Sequence, residues 1–429
     1  MRTVTDCRLP RLLSGVSDRP VTDFESHLAL HGPLPELAKW APGQIIDVIK
    51  QSGLRGRGGA SFPVARKLTA VASRRGPRIV VANGTEGEPA SKKDRVLLRE
   101  LPHLVIDGAV IAAHAVGTGE AIIAVPEGHG RTARSLELAL RQRTDAGRRG
   151  EPRFALVDVP ERYLSGQESA LVNFLSGGPA RPTFRMRPFE HGVRRRPTLV
   201  QNVETLAHLA LIARHGPTWF RQLGTAQDPG STLVTLSGAV SSPGVYEIEH
   251  GMPLSTLLDS AGVSNDLNAV LIGGYFGSWL PATHIPRLLL SPRYLAEHGA
   301  SLGAGVIVAL GGSACPVAET MRIADYFAAQ GAGQCAPCVN GLGAIADTVQ
   351  QLATGTAPAT AQSDLERWAS ELPGRGACQH PDGAARFLAS ALRVFADDFR
   401  EHARRGRCER CSHAPVLPSP LASAHRTSR

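Results

Sequence analysis

Gly53-Leu54-Arg55-Gly56-Arg57-Gly58-Gly59-Ala60-Ser61-Phe62-Pro63 is the densest glycine cluster in the chain, and what surrounds it decides the fold. Glycines let a backbone approach a ligand closely and turn N–H groups towards a phosphate, while Arg55 and Arg57 add positive charge. The spacing is not the dinucleotide fingerprint, and Ile45, Ile46, Val48 and Ile49 predict an amphipathic helix, not a strand, ahead of it. Alone, such a stretch reads as a flexible turn. Residues 1–40, before that helix, are Pro-rich and read as an irregular lead-in. Beyond the loop, strand-like runs at 79–82, 121–125 and 154–159 alternate with helical runs at 105–116 and 132–143. This alternation predicts an α/β layer with a largely parallel sheet over residues 41–227.

The pattern changes near residue 228. Thr232 to Val240, Val245 to Ile248, Val270 to Gly274 and Val306 to Leu310 are strand-like, with a turn signal at Ser242-Pro243-Gly244. Residues 228–312 therefore read as a small β-dominated domain. Val317, Met321, Ala324 and Phe327 then recur at helical spacing, as do Leu388, Leu392, Phe395 and Phe399, predicting a helical bundle over 313–405. The Pro/Ser-rich stretch 406–429 reads as a disordered tail.

With 429 residues, 42% hydrophobic and 20% charged, the chain is long enough for several domains and too apolar for wholesale disorder. The formal charge of +9 invites a nucleic-acid reading. The arginines are scattered, however, except at Arg194-Arg195-Arg196 and between Arg404 and Arg410, and no nucleic-acid motif accompanies them. No run of about 18 apolar residues and no signal-peptide pattern is present. A cytoplasmic chain without direct membrane insertion is expected. Its seven cysteines should then be reduced, and an odd number suits no disulfide framework.

Three further segments belong with the glycine loop: Asn83-Gly84-Thr85-Glu86-Gly87-Glu88-Pro89 followed by Lys93-Asp94-Arg95, Tyr163-Leu164-Ser165-Gly166-Gln167-Glu168-Ser169-Ala170-Leu171, and Gln201-Asn202-Val203-Glu204-Thr205-Leu206. Each falls just past a strand or between elements, where ligands bind in open α/β sheets. With these four motifs in order, residues 45–402 resemble the flavin- and NADH-binding subunit of respiratory complex I and its relatives in NAD-linked hydrogenases and formate dehydrogenases. The resemblance implies an α/β flavin-binding domain, a small β-grasp domain and a C-terminal helical bundle carrying a [4Fe–4S] cluster. It implies that Gly56, Gly58 and Gly59 wrap the FMN phosphate and ribityl chain, with Arg57 and Lys67 supplying charge. Asn83 and Glu86 would lie along flavin and nicotinamide, with Tyr163, Gly166 and Glu168 opposite and Asn202 completing the pocket. Glu86 and Glu168 are the expected catalytic carboxylates.

The chain departs from that pattern in places. The acidic pair expected after Gly166 is Gln167-Glu168, Thr85 stands for an Asp, Ser61 for a Gly, and Leu68-Thr69-Ala70 for aromatic residues expected to hold adenine. Flavin binding is thus better supported than NADH binding. Cys335-Ala336-Pro337-Cys338 and Cys378 match three cluster ligands, while Ala332 takes the place of the fourth. A cluster completed by solvent or His380, a zinc site of Cys335, Cys338, Cys378 and His380, and no metal all remain open. Cys315 reads as a packed thiol, Cys7 lies outside the resemblance, and Cys408-Glu409-Arg410-Cys411 reads as a CxxC in a weakly structured tail. The function implied is transfer of electrons from NADH through FMN to the cluster and on to a ferredoxin-like or other iron–sulfur acceptor protein, within a hetero-oligomeric complex. The alternatives are a non-catalytic assembly subunit and a flavoenzyme with another donor.

Overall fold

The computed structural model describes residues 9–16, 21–148, 150–184 and 187–418. Cys7 and the stretch 419–429 lie outside them. The chain forms two compact units. The first holds residues up to Gly87, Ser91–Val234 and Gly244–Met252; the second holds Glu88–Ala90, Thr235–Pro243 and the chain from Pro253 onward.

Four strands make the sheet of the first unit: β1 (Ile79–Asn83), β2 (Glu120–Pro126), β3 (Arg153–Val159) and β4 (Thr198–Asn202), in the order β3-β2-β1-β4. All three pairings are parallel, as the alternation predicts. Parallel strands are covered on both faces, and β1 accordingly buries Ile79, Val80, Val81 and Ala82. The helices Pro102–Val116 and Val203–Phe220 cross tightly in the core. A Cβ on Gly108 would lie 1.9 Å from Leu206 O, so only glycine allows that approach. Of the polar residues buried on the first helix, Asp107 is paired with His27 Nε2 at 2.7 Å, with Arg143 Nη2 at 2.6 Å and with Arg214.

The remaining strands are β5 (Ser231–Gly238), β6 (Gly244–Glu249), β7 (Leu267–Ile272), β8 (Ser278–Pro281) and β9 (Val306–Gly311). They form a mixed sheet of order β6-β5-β9-β7-β8, with β5 parallel to β9 and β7 antiparallel to both β9 and β8. Five helices follow: Pro316–Gln330, Leu342–Thr354, Ala361–Glu371, His380–Val394 and Ala396–Arg405. Val317, Ala324, Phe327, Leu388, Leu392, Phe395 and Phe399 are all buried, as helical spacing predicts. No helix among the described residues is long and apolar enough to cross a membrane.

Two stretches differ from the sequence reading. The lead-in contains the helix Phe24–His31, whose N-terminus is capped by Asp23 Oδ1 accepting from Ser26 N at 2.8 Å. Its buried side chains are His27 and His31, so no apolar stripe announces it. In the stretch expected to be a disordered tail, the described residues 406–418 are ordered. Buried Glu319 accepts from the backbone N–H groups of Val416 and Leu417, both at 3.0 Å, and Cys408 precedes the short turn Glu409–Ser412.

Candidate active site

Strands β1 and β4 end side by side, with Asn83 and Asn202 in register. The chain runs outward from β1 through β2 to β3 and then returns to β4 on the other side of β1. The gap at the carboxyl ends of β1 and β4 is therefore a topological switch point, where open α/β sheets bind ligands. The two asparagines tie the surrounding loops to these strand ends. Asn83 Nδ2 donates to Gly166 O at 2.8 Å, and Asn83 Oδ1 accepts from Thr85 N at 3.2 Å. Asn202 Oδ1 caps the helix Val203–Phe220 through Glu204 N at 2.9 Å, and its Nδ2 donates to Asp94 Oδ2 at 2.6 Å.

The glycine loop lies over Asn202. It is pinned by Gly56 N to Phe62 O at 2.8 Å, and a Cβ on Gly58 would stand 3.2 Å from Asn202 Cβ. Gly59 takes φ +104°, a conformation that side chains resist, and Gly58, Gly59 and Ala60 are exposed. Phe62, at the edge of the loop, is 47% exposed under the Arg66 guanidinium, 5.5 Å from its ring centroid. The loops carrying Asn83 and Tyr163 also meet closely: Cβ atoms on Gly87 and Gly166 would fall 2.5 Å from Tyr163 O and 2.7 Å from Thr85 O. Tyr163 itself is half-buried.

The charged candidates divide into two kinds. Lys67 and Glu168 are partly exposed and paired, with Lys67 Nζ 3.0 Å from Glu168 Oε2 and 2.8 Å from Val200 O. Glu168 opens the helix Glu168–Leu175, where Gln167 Oε1 caps Ser169 N and Ala170 N at 3.1 and 3.0 Å. Arg57 and Glu86 are instead turned to structural use. Arg57 is buried, its Nη2 donating to Ser231 O at 2.9 Å and its N–H to Thr205 Oγ1 at 2.9 Å. Glu86 Oε1 accepts from Ser91 Oγ at 2.5 Å and Asp94 N at 3.0 Å, and Oε2 from Arg95 N at 3.2 Å, so both oxygens serve the first turn of the helix Lys93–Glu100.

Beneath the asparagines lies a triad whose members stand in the sequence motifs with no role assigned to them there. Lys93 Nζ sits 2.8 Å from both Asp94 Oδ1 and Glu204 Oε2, all three residues being buried. Burial alone would discharge Lys93, but the two carboxylates outweigh it and raise its pKa. Burial pushes Asp94 up to about 6 against the pull of Lys93. Lys93-Asp94 and Glu204 fall in two of the motifs, Lys93 and Glu204 standing 111 residues apart, and only the fold brings the three side chains together.

In the second unit, Cys335 and Cys338 flank the start of a tight turn into the helix Leu342–Thr354, with Cys338 N on Cys335 O at 3.0 Å. Burial raises Cys335, but hydrogen bonds from the Ala377 and Cys338 backbones outweigh it and lower its pKa, which sets the Cys378 loop against this turn. Burial pushes Cys338 up to about 11 and raises Cys378. His380 is fully buried, its Nε2 on Phe327 O at 2.9 Å and its ring against Phe276 and Phe327. It has the surroundings of a core histidine.

Comparisons with known proteins identify the family. Residues 49–211 match the Nuo51 FMN-binding domain, 233–268 the SLBB domain and 318–402 the NADH-ubiquinone oxidoreductase-F iron-sulfur binding region. The second F-type chain of NADH-quinone oxidoreductase in Rhizobium meliloti is 31% identical, covering 87% of this chain and 91% of its own. Its counterpart from Streptomyces coelicolor is 32% identical, covering 88% and 87%. The chain belongs to the F-type family of NADH-quinone oxidoreductase subunits. It is thus an NADH dehydrogenase-like oxidoreductase chain with that family's FMN-binding domain and iron–sulfur binding region. Among solved structures, a chain of an NAD+-reducing [NiFe]-hydrogenase in the H2-reduced state superposes with TM-score 0.81 at 29% identity, over 98% of this chain and 70% of that one.

The residues present fit both groups. For FMN, the exposed glycine turn at Gly58 and Gly59 offers a cradle that side chains would fill. Two buried polar atoms in the neighbouring segments, Ser165 Oγ and Gln201 Nε2, have no hydrogen-bond partner among the described residues, an arrangement that suits a polar ligand. For the cluster, the donor set is three thiols. Among the described residues, the one group of potential ligand atoms lying within 4.8 Å of one another does not include Cys335, Cys338 or Cys378. A single ion would need them that close, whereas a cluster seats each thiolate on its own iron.

Proposed function

We propose that this chain carries electrons from NADH, by way of FMN and a [4Fe–4S] cluster, to a ferredoxin-like or other iron–sulfur acceptor protein, as one component of a cytoplasmic hetero-oligomeric complex. The observation that carries the reading is the paired Asn83 and Asn202 at the switch point, with the glycine loop lying over Asn202. FMN, when bound, takes a hydride and gives up its electrons one at a time. The chain's own residues supply binding and orientation. The backbone N–H groups of Gly58 and Gly59 would hold the phosphate, with Lys67 as its counter-charge, while Gly56 shapes the loop through its own bond to Phe62 O. Lys67 can exchange Glu168 for that phosphate, freeing the partly exposed Glu168 carboxylate for ribose hydroxyls or the nicotinamide amide. Tyr163 and Gly166 wall the pocket opposite the glycine loop. Exposed Phe62 offers an aromatic face for a base, in place of the aromatics absent at 68–70. Glu86 and Arg57 are assigned positioning roles, fixing the helix Lys93–Glu100 and the glycine loop. Cys335, Cys338 and Cys378 hold the cluster, with Ala332 leaving one iron without a protein thiolate.

One observation favours a second reading. With both Glu86 oxygens committed to backbone N–H groups and Gln167 replacing a carboxylate, the pocket offers a nicotinamide fewer acceptors, as suits a donor other than NADH. Anaerobic reconstitution with FMN, iron and sulfide, followed by addition of NADH, decides between them. Bleaching of the flavin band supports the first reading. Bound flavin that NADH leaves unbleached but a reduced ferredoxin bleaches selects the second, and failure to bind flavin overturns both.

A further inference from the structure

Cys315, His402, Cys408 and Cys411 come from the N-cap of one helix, the last turn of another, and the N-cap and interior of the Glu409–Ser412 turn, and their ligand atoms all lie within 4.8 Å of one another. Cys411 Sγ is 3.4 Å from Cys315 Sγ and 3.7 Å from Cys408 Sγ. His402 Nε2 is 3.5 Å from Cys315 Sγ and 3.9 Å from Cys411 Sγ. These are not disulfide distances, since a bonded pair stands at about 2.05 Å. A tetrahedral zinc ion with Zn–S of about 2.3 Å and Zn–N of about 2.0 Å spaces its ligands at about 3.8 Å for S···S and about 3.5 Å for S···N. The observed separations lie within a few tenths of an ångström of those values.

We propose that Cys315, His402, Cys408 and Cys411 form a mononuclear zinc site. The histidine is oriented for it: Nδ1–H donates to Leu352 O at 3.1 Å, which leaves the Nε2 lone pair directed among the thiols. The Ala318 backbone N–H points at Cys315 Sγ at 3.5 Å, as helix N-terminal amides do for a thiolate. The three thiols lose their protons on binding, and the net charge of −1 on the filled site is faced by Arg410, which bonds Asp398 and reaches Ala314 O at 3.4 Å. Four protein ligands close the coordination sphere, so the ion's role is structural. It fastens the chain beyond Arg405, whose Ala414, Pro415 and Val416 line a cleft of about 860 Å³ together with loops of the mixed sheet. The site is separate from the cluster ligands Cys335, Cys338 and Cys378. Three of its four ligands also lie outside residues 318–402, the span matching the family's iron–sulfur region.

The test is metal analysis of the full chain purified without chelator, beside C408S/C411S and C335S/C378S variants. The expected result is about one zinc per chain. Zinc should be lost from C408S/C411S with iron and flavin retained, and kept in C335S/C378S with iron lost. Absence of zinc, iron in its place at this site, or a Cys408–Cys411 disulfide after native alkylation would overturn the proposal. Should C408S/C411S fail to fold, cobalt(II) exchanged into the wild-type chain gives the answer. Intense visible bands of a tetrahedral thiolate complex support the site, and the pale spectrum of an octahedral ion overturns it.

Discussion

In the first unit Lys93, Asp94 and Glu204 are buried against one another and complete each other's hydrogen bonds, Glu204 Oε1 also accepting from Thr232 Oγ1 and Leu233 N at 2.9 Å. In the second unit all six described cysteines are unpaired by disulfides and fall into two sets of three, one compact with a histidine and one spread apart. The first arrangement is finished by protein alone. The second is a set of soft donors whose protonated form gains little from being clustered, so its stability depends on what binds. The contrast also runs inside the second unit. On the proposed readings the Cys315 set would close a tetrahedron, while the Cys335 set, without a thiol at Ala332, would leave one iron open to exchange.

The largest effect is expected from breaking the spread set. Cys378→Ser should lose the iron–sulfur absorbance and lower acceptor reduction on the order of 100-fold or more, with NADH bleaching of flavin nearly unchanged. Equal loss of both activities would mean that the two units do not divide the chemistry. In the self-sufficient unit, Lys93→Met leaves two buried carboxylates without their cation and should cost about 3–5 kcal/mol in urea unfolding. A change near zero would show that water reaches the triad and that the contrast between the units is false.

Much of this fold is legible in the sequence because its elements are buried in periodic ways. Strands β1 to β3 are apolar runs separated by helical runs, and the C-terminal helices carry their spacing openly. Strand β4 is five residues ending in a capping Asn behind an arginine run, and it becomes a strand only through its pairing with β1. The glycine loop carries its meaning through the three motifs around it, since its own sequence is compatible with a plain turn. Glu86 looks like a ligand-facing carboxylate until the chain turns at Ser91 and brings two backbone N–H groups onto it. The compact thiol set is the least legible feature. Cys315 stands 87 residues from His402 and 96 from Cys411, so only tertiary folding brings them together.

Acid should strain the first unit earlier than its carboxylates alone would. Burial lowers the pKa of His103 to about 4 and that of His31 to about 3. Between the ordinary value near 6.5 and about 4, the unfolded chain binds a proton that folded His103 refuses. Stability is therefore full above pH 6.5 and is lost as pH falls through that window, by about 2 kcal/mol per histidine at pH 5. Urea midpoints at pH 7 and pH 5 measure this, and His103→Gln, which keeps a partner for Gln142, should reduce the difference. An unchanged slope would remove His103 from the account.

The smallest change sharpens the contrast within the second unit. Ala332 is buried, 7% exposed, in the segment just before Cys335, so a thiol there adds one sulfur atom to an enclosed position. Ala332→Cys should slow the loss of iron and of cluster absorbance in air, because the exchangeable iron gains a thiolate. Zinc content and flavin bleaching should not move, since neither depends on this position. If iron content stays constant while zinc rises, the added thiol has made a single-ion site, and the spread set is not built around a cluster. If neither the rate of iron loss in air nor the zinc content changes, residue 332 does not face the site. The vacancy inferred from the resemblance would then be no vacancy, and Cys335, Cys338 and Cys378 would form a three-thiol site complete in its own right.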